Sequence, residues 1–432
     1  MLDRKLPPNA LPLGDFFLHK PEIIRLDNGV PVHILSAGEQ PVISVNLWFR
    51  SGTWLAPSKE AALLTMKMMT EGTHQRTAAQ ITDEIDKYGA VLECSAGLDH
   101  AEVEMYCLAR YLPAMLALVC ESLTGATFPD RELENLKRIN IQGLRINQEK
   151  TSYIASNKFR ENLFGRTHRY GITLTEDRIK RLDRAELADF YALTVQGQPF
   201  EMMVAGHVRP QDLQAINQTL GQLPLNAPFD LSAIHAQGDP AQLQELLYLE
   251  RGNALQTSIR MGKRLDLADN GHYLGKRSAD YLPMTMLNEI LGGYFGSRLM
   301  RNIREEKGLT YGISSSVVLM KSAAYMVIGT DVKKEIREMV IEEIGKEIAE
   351  LVKAPVSEDE LDLVKNYMQG TYIGSLTTPF TIAEKFKSIY FHGLAQDHYD
   401  HYVSDIQAIS AEQLHHLAKK YYTDGFLTVM AG

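Results

Sequence analysis

The chain is poor in the residues that most often betray a protein's chemistry. Only three cysteines occur in 432 residues, Cys94, Cys107 and Cys120, and none forms a C-x-x-C pair. Neither a disulfide framework nor a redox pair is therefore expected. Their odd number fits reduced thiols in the cytosol, and small buried packing is the plainest role for all three. No run of like charges and no basic block interrupts the dispersed net charge of −9, which argues against nucleic acid as a partner. No segment reaches the roughly 18 uninterrupted apolar residues of a membrane span. The first residues, Met1 to Pro8, lack the apolar core of a signal peptide. A soluble, cytoplasmic protein without membrane contact is the expectation. G-x-S-x-G is absent, and Gly292 to Gly296 has no Lys, Ser or Thr at phosphate-loop spacing. A nucleophile elbow and a phosphate cradle are set aside, and tight passage of helices is the better reading of those glycines.

What is present is an ordinary globular composition, 45% hydrophobic and 23% charged, in a chain longer than one core usually serves. The chain also repeats itself. Phe128 to Leu133 is answered by Val356 to Leu361, Ile179 to Leu187 by Ile406 to Leu414, and Met203 to Gly206 by Val429 to Gly432, each pair about 227 residues apart. Three matches in one order predict two copies of one domain, 1–230 and 231–432, joined in the Pro, Gly, Ala and Gln-rich stretch from Pro224 to Gln244.

Each copy reads as α+β. Asn28-Gly29 sits between two apolar runs, a hairpin signal, and Val42 to Phe49 alternates as a half-buried strand. Glu60 to Glu71 reads as a helix, and Thr77-Ala-Ala-Gln80 offers a capping box for the next. Ala101 to Leu108 alternates Val103, Met105 and Cys107 against Glu102, Glu104 and Tyr106, an antiparallel strand with one wet face. The second copy repeats the plan through Ser258 to Met261, Met284 to Leu291, a helix bearing Arg304, and strands Tyr311 to Leu319 and Ala323 to Thr330. The fold class expected is two homologous domains, each an antiparallel sheet with helices packed on one side.

One junction stands out. In Arg301 to Gly312 a charged helix end breaks at Gly308 and resumes as an apolar strand near Tyr311. Arg304 and Tyr311 would then bring two hydrogen-bond donors to one sheet edge, able to hold a carbonyl or an oxyanion but not to activate water. The plainer reading is a solvated cation beside a helix dipole and a half-buried ring.

The order of elements, the duplicated halves, Ser51-Gly-Thr53 after the hairpin, and Arg298-Leu-Met-Arg-Asn-Ile-Arg-Glu-Glu-Lys-Gly-Leu-Thr-Tyr311 resemble the pitrilysin/insulinase family of zinc peptidases. The similarity is to its half-length branch, which includes the mitochondrial processing peptidase subunits and bacterial relatives, and it covers essentially the whole chain. The resemblance implies a zinc site of H-x-x-E-H on the helix before Gly72-Thr73, with a third ligand on the long helix after Pro129. Counting back places those positions at Leu63, Met66 and Lys67, and the third near Gln142 or Gly143. None of these can serve zinc chemistry. Leu63 has no donor atom, Met66 cannot accept a proton, and Lys67 repels a cation. A chain without zinc of its own is expected.

The resemblance also implies roles for Arg304 and Tyr311, which are seven residues apart, as in active members. Arg304 would anchor a substrate carbonyl and Tyr311 would donate to the oxyanion. The leading expectation is a zinc-less subunit of a heterodimeric metallo-endopeptidase whose sister chain carries zinc. The alternative is a non-catalytic peptide-binding or scaffolding homodimer. A zinc peptidase with relocated ligands is a third reading, for which His398 with His401 and His415 with His416 are the imidazole pairs to examine.

Overall fold

The computed structural model of the chain describes residues 18–227, 243–269 and 272–432. The expected boundary between copies, at residues 230 and 231, lies outside the described residues. Six strands come from the first half: β1 (Glu22–Arg25), β2 (Pro31–Ser36), β3 (Val42–Phe49), β4 (Val91–Ala96), β5 (Ala101–Leu108) and β6 (Phe200–Gly206). They form one sheet in the order β1-β2-β6-β3-β5-β4, antiparallel except for β2 beside β6. The second half contributes β7 (Leu246–Leu249), β8 (Gln256–Leu265), a small hairpin of β9 (Ala268–Asp269) and β10 (His272–Tyr273), then β11 (Thr310–Leu319), β12 (Ala324–Lys333) and β13 (Leu427–Ala431). Its main sheet runs β11-β12-β8-β13-β7, with only β13 and β7 parallel. Followed from β7, this is the order of β2-β6-β3-β5-β4.

The first half also holds helices α1 (Lys59–Met68), α2 (Ala78–Lys87), α3 (Leu112–Gly125), α4 (Asp130–Gln148), α5 (Thr151–Phe164), α6 (Glu176–Arg181), α7 (Arg184–Thr194) and α8 (Pro210–Thr219). The second holds α9 (Tyr281–Asn288), α10 (Arg337–Lys353), α11 (Glu358–Gly374), α12 (Pro379–His392), α13 (Tyr402–Ala408) and α14 (Ala411–Tyr422). Among the described residues no helix is long and apolar enough to cross a membrane. The architecture is α+β, with a sheet packed against helices in each half.

Local chemistry explains the element ends. The Ser58 hydroxyl accepts from the Ala61 N–H at 3.1 Å and starts α1. Thr77 and Gln80 form the expected reciprocal capping box of α2. Gly29 takes φ +85° in the turn between β1 and β2, a conformation glycine adopts without strain. Asn28 beside it donates to the carbonyls of Leu220 and Leu223 at 2.9 and 3.1 Å, which ties the hairpin to the end of α8.

The two halves cover each other. The inner face of the first sheet packs on its own helices through Val45, Leu47, Met105, Leu64 and Leu116. Its outer face, with Leu35, Trp48, Met203 and Ala205, is closed by Ala383, Phe386 and Ile389 of α12 from the second half. In return α5 of the first half lays Phe159, Leu163 and Phe164 against Tyr325, Leu427 and Val429 of the second sheet. Arg260 on β8 donates to the Ser156 hydroxyl of α5 at 2.9 Å. Helices on one side of each sheet are therefore joined by a borrowed helix on the other.

This exchange changes β3. The strand was expected to be half-buried, but every residue from Ile43 to Phe49 is buried. Trp48, at 3% exposure, stacks on Tyr390 with ring centroids 5.7 Å apart and lies 5.4 Å from Phe391, both on α12. Strand alternation reports which side chains share a face; it does not reveal that a distant helix will cover the polar one. The thiols match their plain reading. Cys94 and Cys107 are buried and Cys120 half-buried, and burial pushes them up to about 12, 12 and 11, away from thiolate reactivity.

Trp48→Ala is expected to cost about 3 to 5 kcal/mol of unfolding free energy in urea, because a large ring shared between sheet and α12 is lost. Burial and the nearby Lys276 hold His392, the last residue of α12, down to about 4 from an ordinary 6.5. The unfolded chain then binds the proton first as pH falls, so stability should drop between about pH 6.5 and pH 4 and not further from this group. Thermal unfolding across that window should be flatter in His392→Gln.

Candidate functional site

The Arg304–Tyr311 junction is built by an unusual winding. After α9 the chain continues as a π-helical turn, Glu289–Gly293, and a second π-helix spans Met300–Glu306. Wide turns of this kind are rare and collect at functional sites. At Gly292 the chain passes β11 so closely that a Cβ would sit 2.8 Å from the Ser315 hydroxyl. The close passage expected of this glycine run is thus against a strand as well as a helix.

Two ion pairs hold the winding in place. Arg298 makes a two-pronged contact to Glu360 on α11, Nε to Oε1 at 2.9 Å and Nη2 to Oε2 at 2.7 Å, the strongest geometry open to this pair. The Lys307 ammonium contacts the Glu343 carboxylate of α10. With Lys346 it holds that carboxyl down to about 2. Met300 and Ile303 point into the core, which leaves Arg304 on the outer side. Gly308, with φ +62°, ends the helix as expected, and the Leu309 N–H donates to the Ile303 carbonyl at 2.9 Å. Pairing of β11 with β12 then slips between Thr310 and Ile313. Bulges of this kind re-aim side chains, and Tyr311 stands 90% exposed.

The structure brings Arg304 and Tyr311 together. The guanidinium carbon lies 5.2 Å from the Tyr311 ring centroid and 4.9 Å from that of Phe295, so the cation is flanked by two rings. Phe295 is itself 60% exposed. Sequence reasoning passed over it; the signal within reach was a large apolar ring between glycines in a segment that packs tightly elsewhere. The guanidinium N–H edge and the phenol hydroxyl remain as donors at an open surface.

The other predicted positions lie on α1 and α4. Met66 is 1% exposed, inside the first core, and Leu63 is packed against that core. Lys67 donates to the Asn140 side-chain oxygen of α4 at 3.2 Å. On α4, Gln142 is exposed and Gly143 opens onto free space. A thioether facing the core, an ammonium and a neutral amide do not make a donor set for a zinc ion. The residues present do not fit one.

The imidazole pairs lie elsewhere. His415 Nε2 is 2.9 Å from the Val352 carbonyl oxygen, and His398 packs edge-on to Tyr399. One carboxylate group, Glu102, Glu104 and Glu384, brings oxygens within 4.8 Å of one another. Its charge is met from within: Lys387 contacts Glu102 and lies 3.6 Å from Glu384, while Tyr106 donates to Glu104 at 2.9 Å.

Comparison with known proteins supplies context. A family model described as "Insulinase (Peptidase family M16)" matches residues 32–171, and one described as "Peptidase M16 inactive domain" matches residues 181–368. A Helicobacter pylori protein described as a non-peptidase homolog, YmxG, is 22% identical over 63% of this chain and 61% of its own length. Subunit 1 of the human mitochondrial cytochrome b-c1 complex is 21% identical over 48% of this chain and 44% of its own. The matches thus span less than two thirds of these relatives. A crystal structure described as a peptidase M16 inactive domain, from Pseudomonas fluorescens, superposes with a TM-score of 0.80 at 24% identity, covering 95% of this chain and 98% of that one.

Because Arg304 and Tyr311 face outward, Arg304→Ala and Tyr311→Phe should each change the unfolding free energy by no more than about 1 kcal/mol, the scale of exposed cation–ring contacts. Denaturant titration of the two variants checks this.

Proposed function

The chain belongs to the insulinase, or M16, family of peptidases, and from that membership we propose that it is a zinc-less subunit of a heterodimeric metallo-endopeptidase. It would supply Arg304 and Tyr311 to a peptide held at the zinc site of a sister chain. The observation that carries this reading is the contrast between two helices and one junction. Where the family's ligands belong, α1 and α4 present Leu63, Met66, Lys67 and Gln142; where its donors belong, an elaborately braced turn presents an arginine and a tyrosine to the surface. The shared strand order of the two sheets supports reading the halves as copies of one domain.

In this arrangement the guanidinium of Arg304 donates to a backbone carbonyl of the substrate, which fixes the peptide's register. The Tyr311 hydroxyl donates to the oxygen that gains charge as the carbonyl carbon becomes tetrahedral. Phe295 and Tyr311 limit the swing of the guanidinium before substrate arrives. The sister's zinc supplies the activated water.

A second reading is favoured by the relatives' descriptions as a non-peptidase homolog and a respiratory-complex subunit. There the chain would be a non-catalytic peptide-binding or scaffolding homodimer, and a cytoplasmic setting is part of both proposals.

Mixing the protein with a zinc-bearing relative from the same source and assaying a peptide library separates them. The heterodimer reading expects activity above either chain alone, and a loss on the order of 100-fold in kcat for Tyr311→Phe. No gain on mixing, or a gain indifferent to both Arg304→Ala and Tyr311→Phe, would sink it; a self-dimer that ignores every zinc-bearing candidate would favour the second.

A further inference from the structure

The exchange of helices leaves a cavity of about 480 Å³ between the first sheet, α12 and the β11–β12 turn, within the range of small-molecule sites. Its walls include Trp48, Leu319, Met320 and Phe391, with Ser388 and His392 one helical turn apart on α12. Behind Ser388 lies a half-buried lysine. Lys276, on the 3-10 turn Gly275–Arg277, directs its Nζ to the Ser388 hydroxyl oxygen and does not itself line the cavity. The buried Tyr399 is hydrogen-bonded to the same serine. Among the described residues no carboxylate pairs with Lys276; its charged neighbour is Lys385.

We propose that Ser388 and Lys276 form a nucleophile–base pair that cleaves small esters with an apolar acyl group seated in this cavity. Serine is inert until a neighbouring base takes its proton, and a neutral lysine can be that base. Burial, helped by the Lys385 charge, pushes Lys276 down to about 8, so a useful share of the amine is neutral near physiological pH. His392 is also kept neutral, by burial and by Lys276. As Ser388 Oγ bonds to the ester carbonyl carbon, its proton passes to Lys276 Nζ. The carbon–oxygen bond to the leaving alcohol then breaks, and Nζ returns the proton to that oxygen. Water then gives a proton to the same amine and its oxygen bonds to the acyl carbon; the bond from that carbon to Ser388 Oγ breaks, Nζ returns the proton to Oγ, and the acid leaves with serine and amine restored. Trp48, Leu319, Met320 and Phe391 supply the apolar surface for the acyl chain. The step uses no metal and no partner chain, so it stands or falls separately from the proposed heterodimer.

The test treats the purified full chain with a fluorophosphonate probe and maps the adduct by mass spectrometry, with a chelator present throughout. Labelling at Ser388 is expected, with a rate that rises with pH about a midpoint near 8. It should vanish in Ser388→Ala and fall at least about 100-fold in Lys276→Met, and in Lys276→Arg, which keeps the charge but not the base. Circular dichroism melts confirm that each variant is folded; should Lys276→Met not fold, Lys276→Arg and the wild-type pH profile carry the test. An unlabelled Ser388 in folded wild type, or labelling equal in Lys276→Arg, would show that the contact only solvates the amine and would overturn the proposal.

Discussion

Everything else in the molecule depends on the exchange of two helices. A sheet with one face on its own helices still has a second face to cover, and in each half that face carries large side chains, Trp48 and Met203 in one and Tyr325 and Val429 in the other. Neither half supplies the cover for its own outer face. α12 crosses to the first sheet and α5 to the second, so burial of each outer face requires both halves. The result is a chain whose two sheets are tied to each other by apolar contact, with Trp48 stacked on Tyr390 in one of the two contacts. Such an arrangement gives a fixed frame on which surface groups can be aimed.

The Arg304 junction uses that frame in a particular way. Its inner side is conventional packing, Met300 and Ile303 in the second core. Its flanks are tied by Arg298 to Glu360 and by Lys307 to Glu343. With the base held, the π winding and the strand bulge set Arg304 and Tyr311 side by side, and the Arg304 guanidinium lies over both the Phe295 and the Tyr311 rings. Stiffness below and donors above is what a group must have if it is to meet a charge that develops on another molecule. The first half has the opposite character. On α1, Lys67 donates to Asn140 and Met66 fills the core.

Much of this was legible along the chain because the relevant signals are local. Gly308 ends a helix because a left-handed residue is needed there, the Thr77–Gln80 box caps α2 because its partners are three residues apart, and Ala101–Leu108 alternates because a strand does. The long-range repeat predicted two copies of one domain, and the two sheets run in a matching strand order. The readings that needed revision concern contacts between distant residues. β3 looked half-wet because its polar-side cover, α12, lies more than three hundred residues further on. Phe295 looked like part of a tight turn, and its place beside Arg304 follows from a π winding that five-residue spacing alone does not announce.

By itself, then, the sequence settled the α+β plan, the identities of Leu63, Met66 and Lys67 on α1, and the spacing of Arg304 to Tyr311. These follow from residue identity and short-range backbone preference. Tertiary structure alone decided which helix covers which sheet, that Lys276 meets Ser388, and that an arginine, a tyrosine and a phenylalanine meet at the surface. Those outcomes depend on burial and on desolvation of charge, which are properties of the assembled surroundings and not of any segment.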